Sequence, residues 1–597
     1  MSSRIEDYAL IGDFHTAALV ACDGSIDWFC LPRFDSGACF AALLGSHEHG
    51  RWIICPAGEV RRVERHYRPD TLILETTFET DEGAVTLVDC MPPRSDNPAL
   101  ARQVVGRRGT VPMKMELILR FDYGSIVPWV RRTEDGLQAT AGPDAVRLQT
   151  PVELQGKNLT TVANFTVGEG DQVPFLLRWH ASHESLRRPL DTDDAIRCTE
   201  AWWREWSGRC RYEGRWREAV VRSLITLKAL TYAPTGGMVA AATTSLPECL
   251  GGERNWDYRY CWLRDATFML YALLDAGYND EAQAWRDWLL RAVAGKASQL
   301  NIMYGVSGER RLTEIELGWL PGYEGSRPVR VGNLAHEQFQ LDVYGEVIDV
   351  VHVARRHGIP IETHAWNLQR NLLKFLKESW QEPDEGIWEV RGGRRHFTHS
   401  RVMAWLGVDR MIKSAERFHL PGDLDKWRKL RKEIHDETCT KGFNATKNCF
   451  VQHYDSDEPD ASLLMIPMVG FLPPHDPRVQ GTVAAIEREL LVDGLVMRYR
   501  NRQTIDGLPE GEGVFLPCSF WLADNYHLQG RDGDAEALYE RLLGLRNDVG
   551  LIAEEYDVRQ KRMLGNFPQA FTHVGIINTA KNLSTPHGPA KHRPNHG

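Results

Sequence analysis

The 597-residue sequence predicts a multidomain chain, an N-terminal all-β sandwich followed by an all-α (α/α)6 barrel. Three observations predict it. Short apolar runs separated by Asp- and Gly-bearing turns fill the first 181 residues, the pattern of antiparallel strands. Beyond residue 213 the apolar period becomes that of helices. The connections between those helices alternate short and long, which in a ring of antiparallel helix pairs gathers every long loop on one face.

Residues 1–181 form the β domain. ALVACDGSIDWFCL has an Asp23-Gly24 turn between two apolar runs, and LILETTFET pairs with AVTLVDC across Asp81 to Gly83. The polar stretch HESLRRPLDTDDAIRC hands over to a Trp-rich helical segment near Ala201, placing a linker at 182–212. The barrel takes 213–583, with helices starting near Trp216, Leu263, Asp280, His336, His364, Thr398, Asp423, Ala461, Val479, Val514, Asp534 and Gln569. Connections after the second, fourth, sixth, eighth and tenth of these are short, as in DAGYN and HLQGRD. The long ones carry NWDYRYCWLRDA, GYEGSRPVRVGN, DEGIWEVRGG, YDSDEPD, MRYRNRQTIDGLPEGEG and IAEEYDVRQ. Carboxylates, arginines and aromatics crowd these loops, as expected of a site at one mouth rather than of solvated linkers. The tail at 584–597, STPHGPAKHRPNHG, is expected to be disordered.

Composition narrows the function. With 43% hydrophobic and 25% charged residues and a net charge of -10, the chain suits neither a nucleic acid nor a membrane. Met1 to Ala18 contains Arg4, Glu6 and Asp7 and no apolar stretch of signal-peptide length, so a cytoplasmic location is expected. Twelve cysteines form no CxxC pair and read as free thiols. His396 and His399 lack an HExxH frame and read as polar residues at a helix start, so neither a metal nor a cofactor is expected. Among 19 tryptophans, Trp256, Trp262, Trp319 and Trp388 fall in polar connections, where indole faces can pack on the C–H faces of sugars. The expected partner is a sugar, such as an oligosaccharide; a homo-oligomer is compatible with the sequence.

Glycosidic hydrolysis needs one protonated carboxyl group for the leaving oxygen and a second, ionised one for water or the sugar. Glu389 in DEGIWEVRG follows Trp388, whose ring would desolvate the carboxyl and raise its pKa. In GLIAEEYD the run Leu551 to Ala553 delivers Glu554 and Glu555, of which one can face a site. Arg264 and Asp265 stand together at the start of a helix, to grip sugar hydroxyls or merely to cap that helix. Arg498 would complete the pocket. Trp262, Arg327, Trp388 and Tyr499 are further substrate-binding candidates from the same loops. The loop Leu31 to Ser36, LPRFDS, is a candidate for closing the leaving-sugar side.

The run NWDYRYCWLRD, 255–265, resembles the NPDYxYxWxRD segment of glycoside hydrolase family fifteen, and IEDYALIGDFHTAALVACDGSIDWFCLPRFDS resembles the β-sandwich domain of its bacterial and archaeal branch. The resemblance covers essentially the whole chain. It implies an inverting exo-acting α-glucosidase, with Glu389 matching the general acid of an LWE segment and Glu554 the base of an AEQY segment. It further implies that Tyr258 positions the attacking water, that Arg264 and Asp265 hold the first glucose, and that Arg498, preceding Tyr499, is the second sugar-binding arginine. Starch-cleaving members carry a carboxylate after the general acid, where this chain has Val390. That departure favours a small substrate, trehalose first, with a glucoamylase-like or isomaltose-cleaving exo-glucosidase as the alternative. A catalytically dead sugar-binding scaffold would lack the carboxylate pair, and a phosphorylase would dispense with Glu554.

Overall fold

The computed structural model describes residues 3–186, 190–360, 363–500, 506–509, 511–585 and 588–592. Fifteen strands before residue 182 join in one hydrogen-bonded network folded into two layers. Both hairpins read from the turns are present. Ala17–Ala21 pairs with Ser25–Cys30 around Gly24, whose φ of 84° is open to glycine, and Leu74–Thr80 pairs with Gly83–Cys90. The layers share the long strand Ala99–Ile118. Its first half pairs with Gly83–Cys90 and Gln172–Ala181, and its second half with Arg51–Pro56 and Thr160–Gly168. The switch falls at Gly106, where a Cβ would lie 1.8 Å from the Gly168 carbonyl oxygen, so only glycine lets the layers approach so closely there.

The stretch expected to be a linker is largely a helix, α1 (Thr192–Ser207), capped by Asp191, whose carboxylate accepts from the Asp194 N–H. Its tryptophans dock it. Trp203 is buried against Phe14 of the β domain, and Trp206 stacks at 4.2 Å on Tyr278 of the helical domain. Burying these two indoles, with Trp202 half-buried at 4.5 Å from Phe14, outweighs the polar composition that suggested a linker.

The helices that follow are α2 (Arg217–Ala229), α3 (Ala266–Ala276), α4 (Asn279–Ala292), α5 (Asp342–Arg356), α6 (Thr363–Ser379), α7 (Thr398–Phe418) and α8 (Leu424–Lys441). After these come α9 (Met465–Met468), α10 (Pro477–Leu490), α11 (Leu516–Leu528), α12 (Asp532–Leu543), α13 (Ala570–Ser584) and α14 (Pro589–His592). Helices α3, α5, α7, α9, α11 and α13 each touch the next, and α13 returns to α3, closing an inner ring. The alternate helices pack outside it, giving the (α/α)6 barrel. Each inner helix except α13, which packs against α2, leads through a short turn to an outer one, and each long connection returns to the N-terminus of the next inner helix. All long connections therefore converge on one end of the ring.

Two helices differ from the sequence reading. The segment at His336 is a short 3-10 turn, Leu334–Glu337, with α5 starting only at Asp342. The segment at Ala461 is a 3-10 turn running into the four-residue α9, because Pro467 removes a backbone donor. The tail is not wholly irregular either: α14 folds back on α13, with Ala590 buried and its N–H donating to Asn582 Oδ1 at 2.9 Å. Residues 586–587 and 593–597 of that tail lie outside the described residues.

Candidate active site

The site lies where the long connections converge. Its walls include Glu248, Arg254, Trp256, Tyr258, Arg264, Asn333, Trp388, Glu389, Arg391, Arg498, Tyr499 and Asp506. Arg264 and Asp265 sit immediately before α3. The Asp265 side chain does not cap that helix; its Oδ1 accepts from Arg264 Nε at 2.8 Å, and its buried Oδ2 has no hydrogen-bond partner among the described residues. An unsatisfied buried oxygen is costly, and a sugar hydroxyl would satisfy it.

Glu389 ends a tight turn in which its N–H donates to Gly386 O, and its φ of 58° is left-handed, a region a glutamate enters only when its surroundings impose it. The sequence points to Trp388 as its neighbour. The structure instead turns Trp388 toward Asp460, to which its Nε1 donates at 2.9 Å, because adjacent side chains diverge. The indole on Glu389 is Trp262, whose Nε1 donates to Oε1 at 2.7 Å, with Arg264 Nη1 at 3.4 Å. Burial raises the Glu389 pKa, against the pull of Arg264 and the Trp262 bond.

Glu554 is delivered by the buried run Leu551 to Ala553. Its Oε1 accepts from the Tyr258 hydroxyl at 2.6 Å and its Oε2 from the Asn566 N–H at 3.2 Å. Gly565 makes room: a Cβ there would lie 2.5 Å from Oε2. Glu555 turns the other way, accepting from the Gly513 N–H at 2.9 Å and facing Arg498 at 3.5 Å. Glu248 joins them, and one oxygen from each of the three glutamates lies within 4.8 Å of the others. Arg498 supplies the offsetting charge, donating to Glu248 at 3.0 Å and to Glu512 at 2.6 Å. Burial first, then the Glu248 charge, pushes the Glu554 pKa up to about 8, against the Tyr258 bond and Arg498. The sequence expects only Glu389 to be raised; Glu554 is raised as well, by its burial first and then by the unforeseen Glu248.

The structure thus brings together Tyr258, Trp262, Arg264, Asp265, Trp388, Glu389, Arg498, Tyr499 and Glu554. Tyr499 turns its hydroxyl to Asp506 at 2.8 Å. Arg327 stands apart: it is exposed, with Nε donating to Pro321 O, while its neighbour Arg330 is the buried one of that loop. The LPRFDS loop is also displaced from the role considered for it. Arg33 pairs with Asp35 at 2.7 Å and Glu309 at 2.8 Å, and neither Arg33 nor Asp35 is a wall of the pocket. Its backbone does reach the site indirectly, since the carbonyl of Ser36 accepts from Arg259, the residue after Tyr258.

Sequence reasoning missed Glu248, Arg254, Asp506 and Glu512. Arg254 joins them, meeting Asp506 at 2.5 Å and Glu512 at 3.3 Å. The loop 491–515, of which residues 501–505 and 510 lie outside the described residues, contributes two of these carboxylates, and its charge density was the available signal.

Comparison with known proteins bears on this geometry. The family model of the glycosyl hydrolases family 15 matches residues 214–581, and that of the trehalase-like N-terminal domain matches residues 1–201. The chain belongs to glycosyl hydrolase family 15. It is a glycoside hydrolase acting on sugar substrates. A trehalase of Mycobacterium tuberculosis is 38% identical over 96% of this chain and 88% of its own length, and a trehalase of Thermoplasma acidophilum is 36% identical over 95% and 98%. Among solved structures, a bacterial glucoamylase complexed with acarbose superposes with a TM-score of 0.73 over 99% of this chain and 96% of its own, at 13% identity. This family 15 chain therefore carries the same two-part fold from end to end.

Proposed function

We propose that this family 15 hydrolase cleaves trehalose with inversion, Glu389 acting as general acid and Glu554 as general base. The observation that carries the reading is that a half-buried Glu389 on the pocket wall and a buried Glu554 behind Tyr258 each have a private aromatic donor, Trp262 on Glu389 and Tyr258 on Glu554, with the two rings 5.1 Å apart. Inversion requires the two carboxylates to stand on opposite sides of the glycosidic bond with room for a water between base and sugar. Trehalose is supported by the trehalase relatives that match nearly the whole chain.

In the reaction, Arg264 and the open Oδ2 of Asp265 hold hydroxyls of the first glucose. Glu389 gives its proton to the glycosidic oxygen as that bond breaks, and Glu554 takes a proton from a water attacking the anomeric carbon on the opposite face. The base must be ionised to act, so turnover should rise with pH through the titration of the Glu248, Glu554 and Glu555 cluster and fall as Glu389 loses its proton. A cytoplasmic site of action accords with twelve cysteines that are all free thiols. Incubation with trehalose, maltose and isomaltose tests the substrate: trehalose should be hydrolysed fastest, and no turnover of it would end this reading.

A further inference from the structure

The glycosidic oxygen must lie at Glu389, so the leaving glucose lies beside the residues that follow it. Val390 offers no polar group. Of the other polar side chains on this side of the pocket, Asn333 is engaged at both ends, its Oδ1 accepting from the Ala335 N–H and its Nδ2 donating to Asp257 O. The pocket's other arginines are tied to carboxylates at short range, Arg254 at 2.5 Å, Arg264 at 2.8 Å and Arg498 at 2.6 Å. Arg391 differs. Its guanidinium lies 4.1 Å from the centre of the Trp256 ring, its ion pair to Glu314 is long at 3.5 Å, and its side chain stays 29% exposed at the pocket rim. Its N–H donates to Asp506 O at 2.8 Å, which anchors the arm. A guanidinium stacked on an indole keeps its in-plane N–H groups available for hydroxyl oxygens.

We infer that Arg391, braced on Trp256, determines specificity in the leaving-glucose site by donating hydrogen bonds to that sugar's hydroxyls. This rests on the hydrolase reading above, and the two can fail separately. α-Glucosyl fluoride has no leaving sugar, so its hydrolysis reads only the first-glucose site and the catalytic pair. In Arg391→Ala, kcat/KM for trehalose should fall roughly tenfold to a hundredfold, mostly through KM, while α-glucosyl fluoride hydrolysis stays within about threefold of wild type. Arg391→Lys, which keeps the charge and loses the planar fork, should fall between. Equal losses on both substrates, or no loss on the disaccharide, would overturn the assignment. If the wild type leaves trehalose untouched, the trehalose reading fails, and the same comparison is made with maltose or isomaltose, whichever the wild type cleaves.

Discussion

The two sides of the pocket put the same side chain to opposite use. Glu389 stands on a strained turn with one indole and one distant guanidinium, and among the described residues no other carboxylate is hydrogen-bonded to it. Glu554 stands in a crowd, with Glu248 and Glu555 within 4.8 Å and Arg498 and Tyr258 offsetting their charge. On the acid side burial, helped by the Asp265 charge, raises the pKa. On the base side, like charges share protons and a hydroxyl draws Glu554 back toward the ionised form. The difference teaches that the acid's pKa is a property of one residue and the base's a property of a cluster.

Breaking either side should be the largest effect. Glu389→Gln and Glu554→Gln keep the shape and remove the proton chemistry, and each should slow turnover at least about a hundredfold in steady-state assays. If Glu555→Gln abolishes activity while Glu554→Gln does not, the base is misassigned. Next, Arg264→Ala and Asp265→Ala should each lose roughly 2 to 4 kcal/mol of transition-state binding on every glucoside, read as kcat/KM. Near-normal values in both would remove them from the site.

The cluster can be sharpened by pH. Glu248 raises the Glu554 pKa, so Glu248→Gln should move the acidic limb of the pH profile to lower pH. The Tyr258 hydroxyl lowers it, so Tyr258→Phe should move that limb to higher pH and cost roughly tenfold in kcat. Neither change should move the alkaline limb, which belongs to Glu389. Shifts of the same sign in both variants would contradict the cluster account. The smallest effects should come from groups the pocket leaves out: Arg327→Ala should leave kcat/KM unchanged, and Arg33→Ala should change stability by only about 0 to 1 kcal/mol in denaturant titrations.

The architecture was legible in the sequence because its signals are local. Turns such as Asp23-Gly24 announce hairpins, and the alternation of loop lengths announces the ring. What was not legible depends on distance in the chain. Glu389 follows Trp388 in sequence, yet the indole that touches it comes from position 262, and Glu248 meets Glu554 only because separate connections end at the same mouth. Arg327 was drawn from a loop whose inward-facing arginine is Arg330, three residues on, a distinction set by the pairing of Arg330–Val331 with Ile315–Glu316. The polar stretch around α1 hid a helix because its docking surface is three tryptophans among charges.

The central claim is that water, activated at Glu554, attacks opposite the leaving group protonated at Glu389. Proton NMR of the first moments of trehalose hydrolysis, before mutarotation, tests it directly. Inversion at one anomeric carbon frees one β-glucose for each α-glucose released as the leaving sugar, so the two anomers should appear in equal amounts. Double displacement through a covalent glycosyl-enzyme would release α-glucose alone, and that result would contradict the mechanism.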